Sequence, residues 1–136
     1  MPQDTKKTIK RLTAQLFTYP IDDYLSSENF SIFCREHDLE DAWKEYLGFS
    51  RDKPDLYGGA VIKNAFVLFL HHIFHSRPKE FLELFTHFLI DFSQEISQVL
   101  LVNDLKKDLV YLGYSIEEVE IEFSTMKGGH TDNYLH

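Results

Sequence analysis

The chain has 136 residues, a length that fits one domain, and a domain of this size buries about two thirds of the surface its unfolded chain exposes, so it needs no disulfide or metal to stay folded. Twelve Phe, seven Tyr and one Trp against six Gly and four Pro supply a packed core and exclude disorder. The net charge of −8 is uneven: Lys6, Lys7, Lys10 and Arg11 against Asp4 leave the first 20 residues three charges positive and the rest eleven negative, a body that repels nucleic-acid phosphate and favours a basic partner.

Cys34 is the lone cysteine, so no internal disulfide is available, and a reducing, cytoplasmic setting is the expectation. The opening MPQDTKKTIKRL has no apolar h-region. The longest unbroken apolar run, Ala65 to Leu70, falls far short of the roughly 20 residues a spanning helix requires. A soluble protein without a membrane segment is expected.

In chain order, Ile9, Leu12, Leu16 and Phe17 recur at helical spacing and predict an amphipathic helix over residues 5–18, its exposed face basic, stopped by Pro20. Ser26 or Ser27 caps a second helix whose stripe is Phe30, Phe33, Cys34 and His37. The stripe turns at Asp38, which is expected to cap a third helix carrying Leu39, Trp43, Tyr46 and Leu47 and ended by Gly48. The segment FSRDKPDLYGG reads as a loop.

A fourth helix is expected from about Gly59 to Ser76, and Pro78 in a first turn opens a fifth over residues 78–92. There Phe81, Leu82, Phe85, Phe88, Leu89 and Phe92 share one side, with Glu80, Glu83, His87, Asp91 and Gln94 on the other. Ile96, Val99 and Leu100 then define one stripe, and Leu101, Leu105, Leu109 and Leu112 another. This predicts one kinked helix or two parting at Asn103–Asp104, with Gly113 as the stop. Ser115 and Glu118 fit a capping box and predict a last helix. The alternation of Val119, Ile121 and Phe123 with glutamates also suits a strand, which would need to pair with another chain. The fold expected is all-α: an irregular bundle of about six helices with a central Phe-rich antiparallel helix hairpin. Residues 1–126 form one helical domain and 127–136 a flexible C-terminal tail.

The chemistry-bearing residues are few. At about 100° per residue, Asn64, His71 and His75 fall in one narrow sector of the fourth helix, avoided by Phe66, Phe69, Leu70, Ile73 and Phe74, while His72 points elsewhere. Two imidazoles at i and i+4 can chelate a metal, so His71 and His75 are the candidate metal ligands. The HExxH motif needs a glutamate after its first histidine, where this chain has His72, and a zinc site needs further ligands. His87, His37, Glu36, Asp38 or His130 would have to be delivered by the fold. A polar stripe hydrogen-bonded to a neighbouring helix or to water is the leading expectation for the pair.

There is no P-loop, GxGxxG turn, GxSxG elbow or CxxC pair. The Arg-x4–6-His pair of HEPN-type ribonucleases is missing at all four arginines. Cys34 reads as an inert core thiol. Glu83–His87 and His87–Asp91 read as ordinary surface i, i+4 pairs. Lys6, Lys7, Lys10 and Arg11 are the candidate binding residues for an anionic partner, although a solvated face or an intramolecular acidic partner is preferred and nucleic acid is disfavoured.

The function expected is that of a non-enzymatic protein–protein binding module, an adaptor or an inhibitor of the immunity or antitoxin kind. It would need no cofactor, and its partner is another protein with a basic surface or a second copy of the chain. The alternatives are a metal-dependent enzyme using His71 and His75 and a weak nucleic-acid binder using the first helix.

Overall fold

The computed structural model of the chain describes residues 4–53, 60–96, 98–124 and 131–132. Among them are eight helices: α1 (Thr5–Leu16), α2 (Ile21–Leu25), α3 (Glu28–Glu36), α4 (Glu40–Asp52), α5 (Val61–Ser76), α6 (Pro78–Ser93), α7 (Asn103–Tyr111) and α8 (Ile116–Ser124). The only other regular structure among the described residues is a parallel pair of two-residue strands, β1 (Leu100–Leu101) and β2 (Thr131–Asp132), with Leu100 opposite Thr131. The all-α fold is as expected.

The phenylalanine content explains the architecture. Phe66 meets Phe88 at 5.3 Å between ring centroids and Phe74 meets Phe81 at 5.4 Å. Residue numbers rise along α5 as they fall along α6, so the two helices form an antiparallel hairpin hinged on Arg77. Around it pack α1, α2 and α4 against α5, and α8 against α6, while α7 bridges α1 and α8. Phe30 is fully buried, with Tyr24, Phe33, Trp43, Phe69 and Phe88 ringed about it at 5.3–6.1 Å. A ring so enclosed contributes about 2–3 kcal/mol of transfer free energy.

Two helix ends show local chemistry at work. Ser115 and Glu118 form the expected capping box: the Ser115 N–H donates to the Glu118 carboxylate at 2.8 Å, and the Glu118 N–H donates to Ser115 Oγ at 3.0 Å. The segment is therefore helix, with Val119 and Phe123 buried. Gly113, at φ 117°, closes α7 as expected, in a Schellman turn with the Tyr114 N–H on the Leu109 carbonyl.

Four local readings are corrected. Asp38 does not cap α4. It adopts φ 61° as the left-handed residue of a Schellman turn ending α3, in which the Leu39 N–H donates to the Cys34 carbonyl at 2.7 Å; aspartate tolerates that region better than most residues. Gly48 does not end α4, which runs on to Asp52, because nothing there calls for a positive φ. The residues before Pro20 leave the helix at Leu16, and Pro20 instead precedes α2, a short helix missed in the sequence that buries Ile21, Tyr24 and Leu25. The stripe of Ile96, Val99 and Leu100 is not helical: Leu100 and Leu101 are extended in β1, and Val99 is exposed. The Leu101 N–H is satisfied by the Tyr19 hydroxyl at 3.0 Å.

Of the segment FSRDKPDLYGG, expected as a loop, Phe49 to Asp52 belong to α4, and residues 54–59 lie outside the described residues, as does most of the expected tail with His130.

Candidate functional site

The four basic residues of α1 do not act as one patch. Ile9, Leu12 and Leu16 are fully buried against the bundle, which leaves Lys6, Lys7, Lys10 and Arg11 on the exposed side. Arg11, however, turns along the helix to α7. Its Nε and Nη2 donate to Asp108 Oδ1 at 3.0 and 2.9 Å, and its guanidinium lies 5.6 Å from the centre of the Tyr111 ring. Gln15 donates to the other Asp108 oxygen at 2.6 Å. One charge of the basic face is thus spent inside the fold on the acidic body, as the intramolecular alternative anticipated.

His71 and His75 do lie side by side, with ring centroids 4.3 Å apart. Burial first, then His75 and Lys6, hold His71 below the usual imidazole range. No group of three or more His, Cys, Asp or Glu side chains able to hold a metal is gathered among the described residues, so this pair stands without a third ligand there. The interhelix hydrogen bond expected of the stripe belongs to its neighbour: Tyr46 of α4 meets His72 Nδ1 at 3.1 Å, and Ser76 lies 3.5 Å from the other ring nitrogen.

A different histidine pair is assembled by the fold. His37, at the end of α3, faces His87 of α6, with ring centroids 6.0 Å apart. A cleft of about 200 Å³ opens there, lined by Glu36, His37, His87 and Asp91 with Phe33 and Ile90 as its apolar wall. Arg77 fixes the α3 side by donating to the carbonyls of His37 (2.9 Å) and Asp38 (3.2 Å). Tyr24 fixes the α6 side by donating its hydroxyl proton to Asp91. Burial and then Asp91 push the Tyr24 phenol well above its ordinary range, so it stays a donor. His37 is held below the usual range, chiefly by burial and by His87.

The third feature is a groove of about 460 Å³ between α7 and α8, lined by Val110, Tyr111, Ile116 and Val119 with Lys106 and Glu120 at its edge. Lys106 and Glu120 pair at 2.9 Å across it. Ile116 and Ile121 are 63% and 65% exposed and Tyr111 is 45% exposed. Of these, Tyr111 and Ile116 line the groove, and the charged residues that line it with them are Lys106, Lys107 and Glu120; Glu117, Glu118 and Ile121 are exposed on α8. Single exposed apolar residues are ordinary; several around one apolar groove are a surface feature with consequences.

Cys34 is buried, and its thiol is pushed up to about 12, mainly by burial and secondarily by Glu40. That is the environment of an inert core thiol.

No protein-family model matches the chain, and neither a curated protein nor a solved structure matches it. Among the described residues no helix is long and apolar enough to cross a membrane.

Sequence reasoning missed two of these arrangements. Asp108 carried a signal: it lies on the same helical stripe as Leu105 and Leu112, where a carboxylate needs a partner. The His37–His87 pairing carried none, since the two are fifty residues apart and His87 sits on the polar side of its own helix.

Proposed function

We propose that this chain is a non-enzymatic protein-binding module and that the α7–α8 face is its docking surface. The observation that carries the reading is the exposure of Ile116 and Ile121 among the glutamates of α8, beside the groove that holds Tyr111. Apolar anchors supply the contact energy of an interface, and aromatic residues such as Tyr are enriched at its centre. The groove itself is lined by Lys106, Lys107 and Glu120, while the exposed Glu117, Glu118 and Glu120 of α8 favour an occupant that brings positive charge to that helix. The partner that fits is a segment of another protein with an apolar stripe flanked by lysine or arginine, of the kind an amphipathic helix presents.

The body as a whole supports the same choice. Beyond the first 20 residues it carries eleven net negative charges, so a basic partner is steered toward it and a polyanion is not. The α1 lysines are a weak alternative for anions, because Arg11 is already paired to Asp108.

Affinity capture with the chain and with an Ile116→Ser/Ile121→Ser double variant tests this, run at low and high salt and compared protein by protein. Both isoleucines are solvent-facing, so the variant keeps the fold, as circular dichroism will show. A basic protein retained by the parent, lost from the variant and weakened by salt is expected. A set of captured proteins identical for both chains defeats the proposal. Light scattering across concentration separates a second copy of the chain from a foreign partner.

A further inference from the structure

The α7–α8 face carries both signs of charge, and each helix supplies one of them to the groove. Lys106 and Lys107 line it from α7 and Glu120 from α8, with Glu117 exposed on the same helix. We propose that in the free chain this face is covered by a second copy of the chain, in a two-fold dimer. The self-contact, which rests on the reading of the α7–α8 face as a docking surface, regulates that surface by competing with the foreign partner.

A two-fold rotation brings the same patch of each chain onto the other. Applied across this groove it exchanges the two helices, so the glutamates of α8 on each copy meet the lysines of α7 on the other. A patch of one sign repels its own copy; this one is complementary to itself. The same pairing operates within the chain, where Lys106 and Glu120 meet at 2.9 Å across the groove and Lys106 lies 5.8 Å from the centre of the Phe123 ring. Lys106 is thereby committed, its side chain largely buried. Lys107 is held less firmly. Its side chain is 74% exposed, and Asp104, its ion-pair partner one turn earlier, stands at 3.9 Å, a surface contact of little worth.

The apolar part of the face fits the same occupant. Ile116 stands exposed at the start of α8 and Tyr111 at the end of α7, with Val110 and Val119 in the groove wall. In the two-fold arrangement each copy lends its Ile116 to the other's groove, which removes both from water. The two helices have nine residues each, about 13 Å of helix. The area is therefore that of a small, transient interface and not of a permanent dimer, and a competing partner can displace it.

Sedimentation equilibrium of the untagged full chain from about 5 to 500 µM, the range in which a weak interface of this size associates, tests the proposal. A rise from one chain toward two is expected, diminished by salt. Lys107→Glu and Glu117→Lys, both at exposed positions, each weaken self-association about tenfold, because the two-fold axis turns one reversal into two repulsive contacts. An equimolar mixture of the two variants regains the association of the parent, since each contact then joins opposite charges. Circular dichroism checks that both variants keep their helices. A parent chain that stays monomeric throughout overturns the proposal. So does a dimer indifferent to both reversals, or a mixture that associates no better than its components. A monomeric parent that still captures a basic protein through Ile116 and Ile121 keeps the docking surface and removes only the self-contact; a dimer that captures none supports the self-contact and removes the foreign partner.

Discussion

Arg11 donates twice to a single oxygen of Asp108, at 3.0 and 2.9 Å, across 97 residues of sequence. The two partners are unequally placed: the Arg11 side chain is 46% exposed and that of Asp108 is 6% exposed. The two halves of this contact therefore fail differently. Arg11→Ala strands a buried carboxylate that keeps the Gln15 hydrogen bond among the described residues, and is expected to cost about 3 kcal/mol. Asp108→Asn leaves a guanidinium that water can reach, and is expected to cost about 1–2 kcal/mol. Urea unfolding followed by Trp43 fluorescence measures both. Equal costs, or the reverse order, would show that burial of Asp108 does not govern the pair.

Gly48 sits inside α4 with ordinary helical backbone, and a Cβ built on it meets nothing within 4 Å. Glycine in such a place costs helix stability through backbone entropy alone. Gly48→Ala is expected to stabilise the protein by about 0.5–1 kcal/mol. A higher midpoint in thermal or urea unfolding checks it, and a lower one means that an unseen approach to α4 needs the space.

The Cys34 thiol, pushed up to about 12 by burial and by Glu40, is almost wholly protonated at pH 8, with a thiolate fraction of about one part in ten thousand. It is expected to resist thiol–disulfide exchange reagents in the folded chain and to react fully in urea. The rate in the native state should track the opening of the α3–α4 corner. Prompt native modification at pH 8 contradicts the buried placement.

His71 titrates against burial, His75 on its own helix and Lys6 from α1, all of which disfavour its charged form. Its pKa is lower folded than unfolded, so the unfolded chain takes up the proton first. The stability contributed by the neutral ring is present above the unfolded value, about 6.5, and is lost as pH falls from there through the folded value. His71→Gln, which cannot titrate, is expected to flatten this part of the stability–pH curve. Unfolding midpoints at pH 7.5 and pH 5 for the two chains give the comparison, and parallel curves would contradict it.

Local rules account for the readings that held. The capping box of Ser115 and Glu118 needs only groups three residues apart, so it can be recognised before any tertiary contact is known. The same is true of the Ser27 cap, the Gly113 stop and the α6 stripe from Phe81 to Phe92. Where tertiary context competed, the local reading gave way. Asp38 resembles an N-cap in sequence but serves as the left-handed close of α3, because burying Leu39 and bonding its N–H to Cys34 turns the chain more sharply. Leu100 and Leu101 continue a helical-looking run yet extend, their partners being Thr131–Asp132 and Tyr19.

The candidate sites divide along the same line. His71 and His75 are neighbours by helical period alone, so their pairing was legible, while the influence of Lys6 on His71 was not. His37 and His87 are brought together only by the docking of α3 on α6, Asp108 meets Arg11 only because α7 lies along α1, and Ile116 flanks Tyr111 only because α8 folds back beside α7. Periodicity, caps and the supply of phenylalanine determined an all-α molecule with a Phe-rich hairpin at its centre, since those follow from backbone geometry and burial within a few turns. Which polar groups face one another was decided by how the helices pack, because a side chain's partner across an interface depends on the position and tilt of two whole helices and leaves no periodic trace in either.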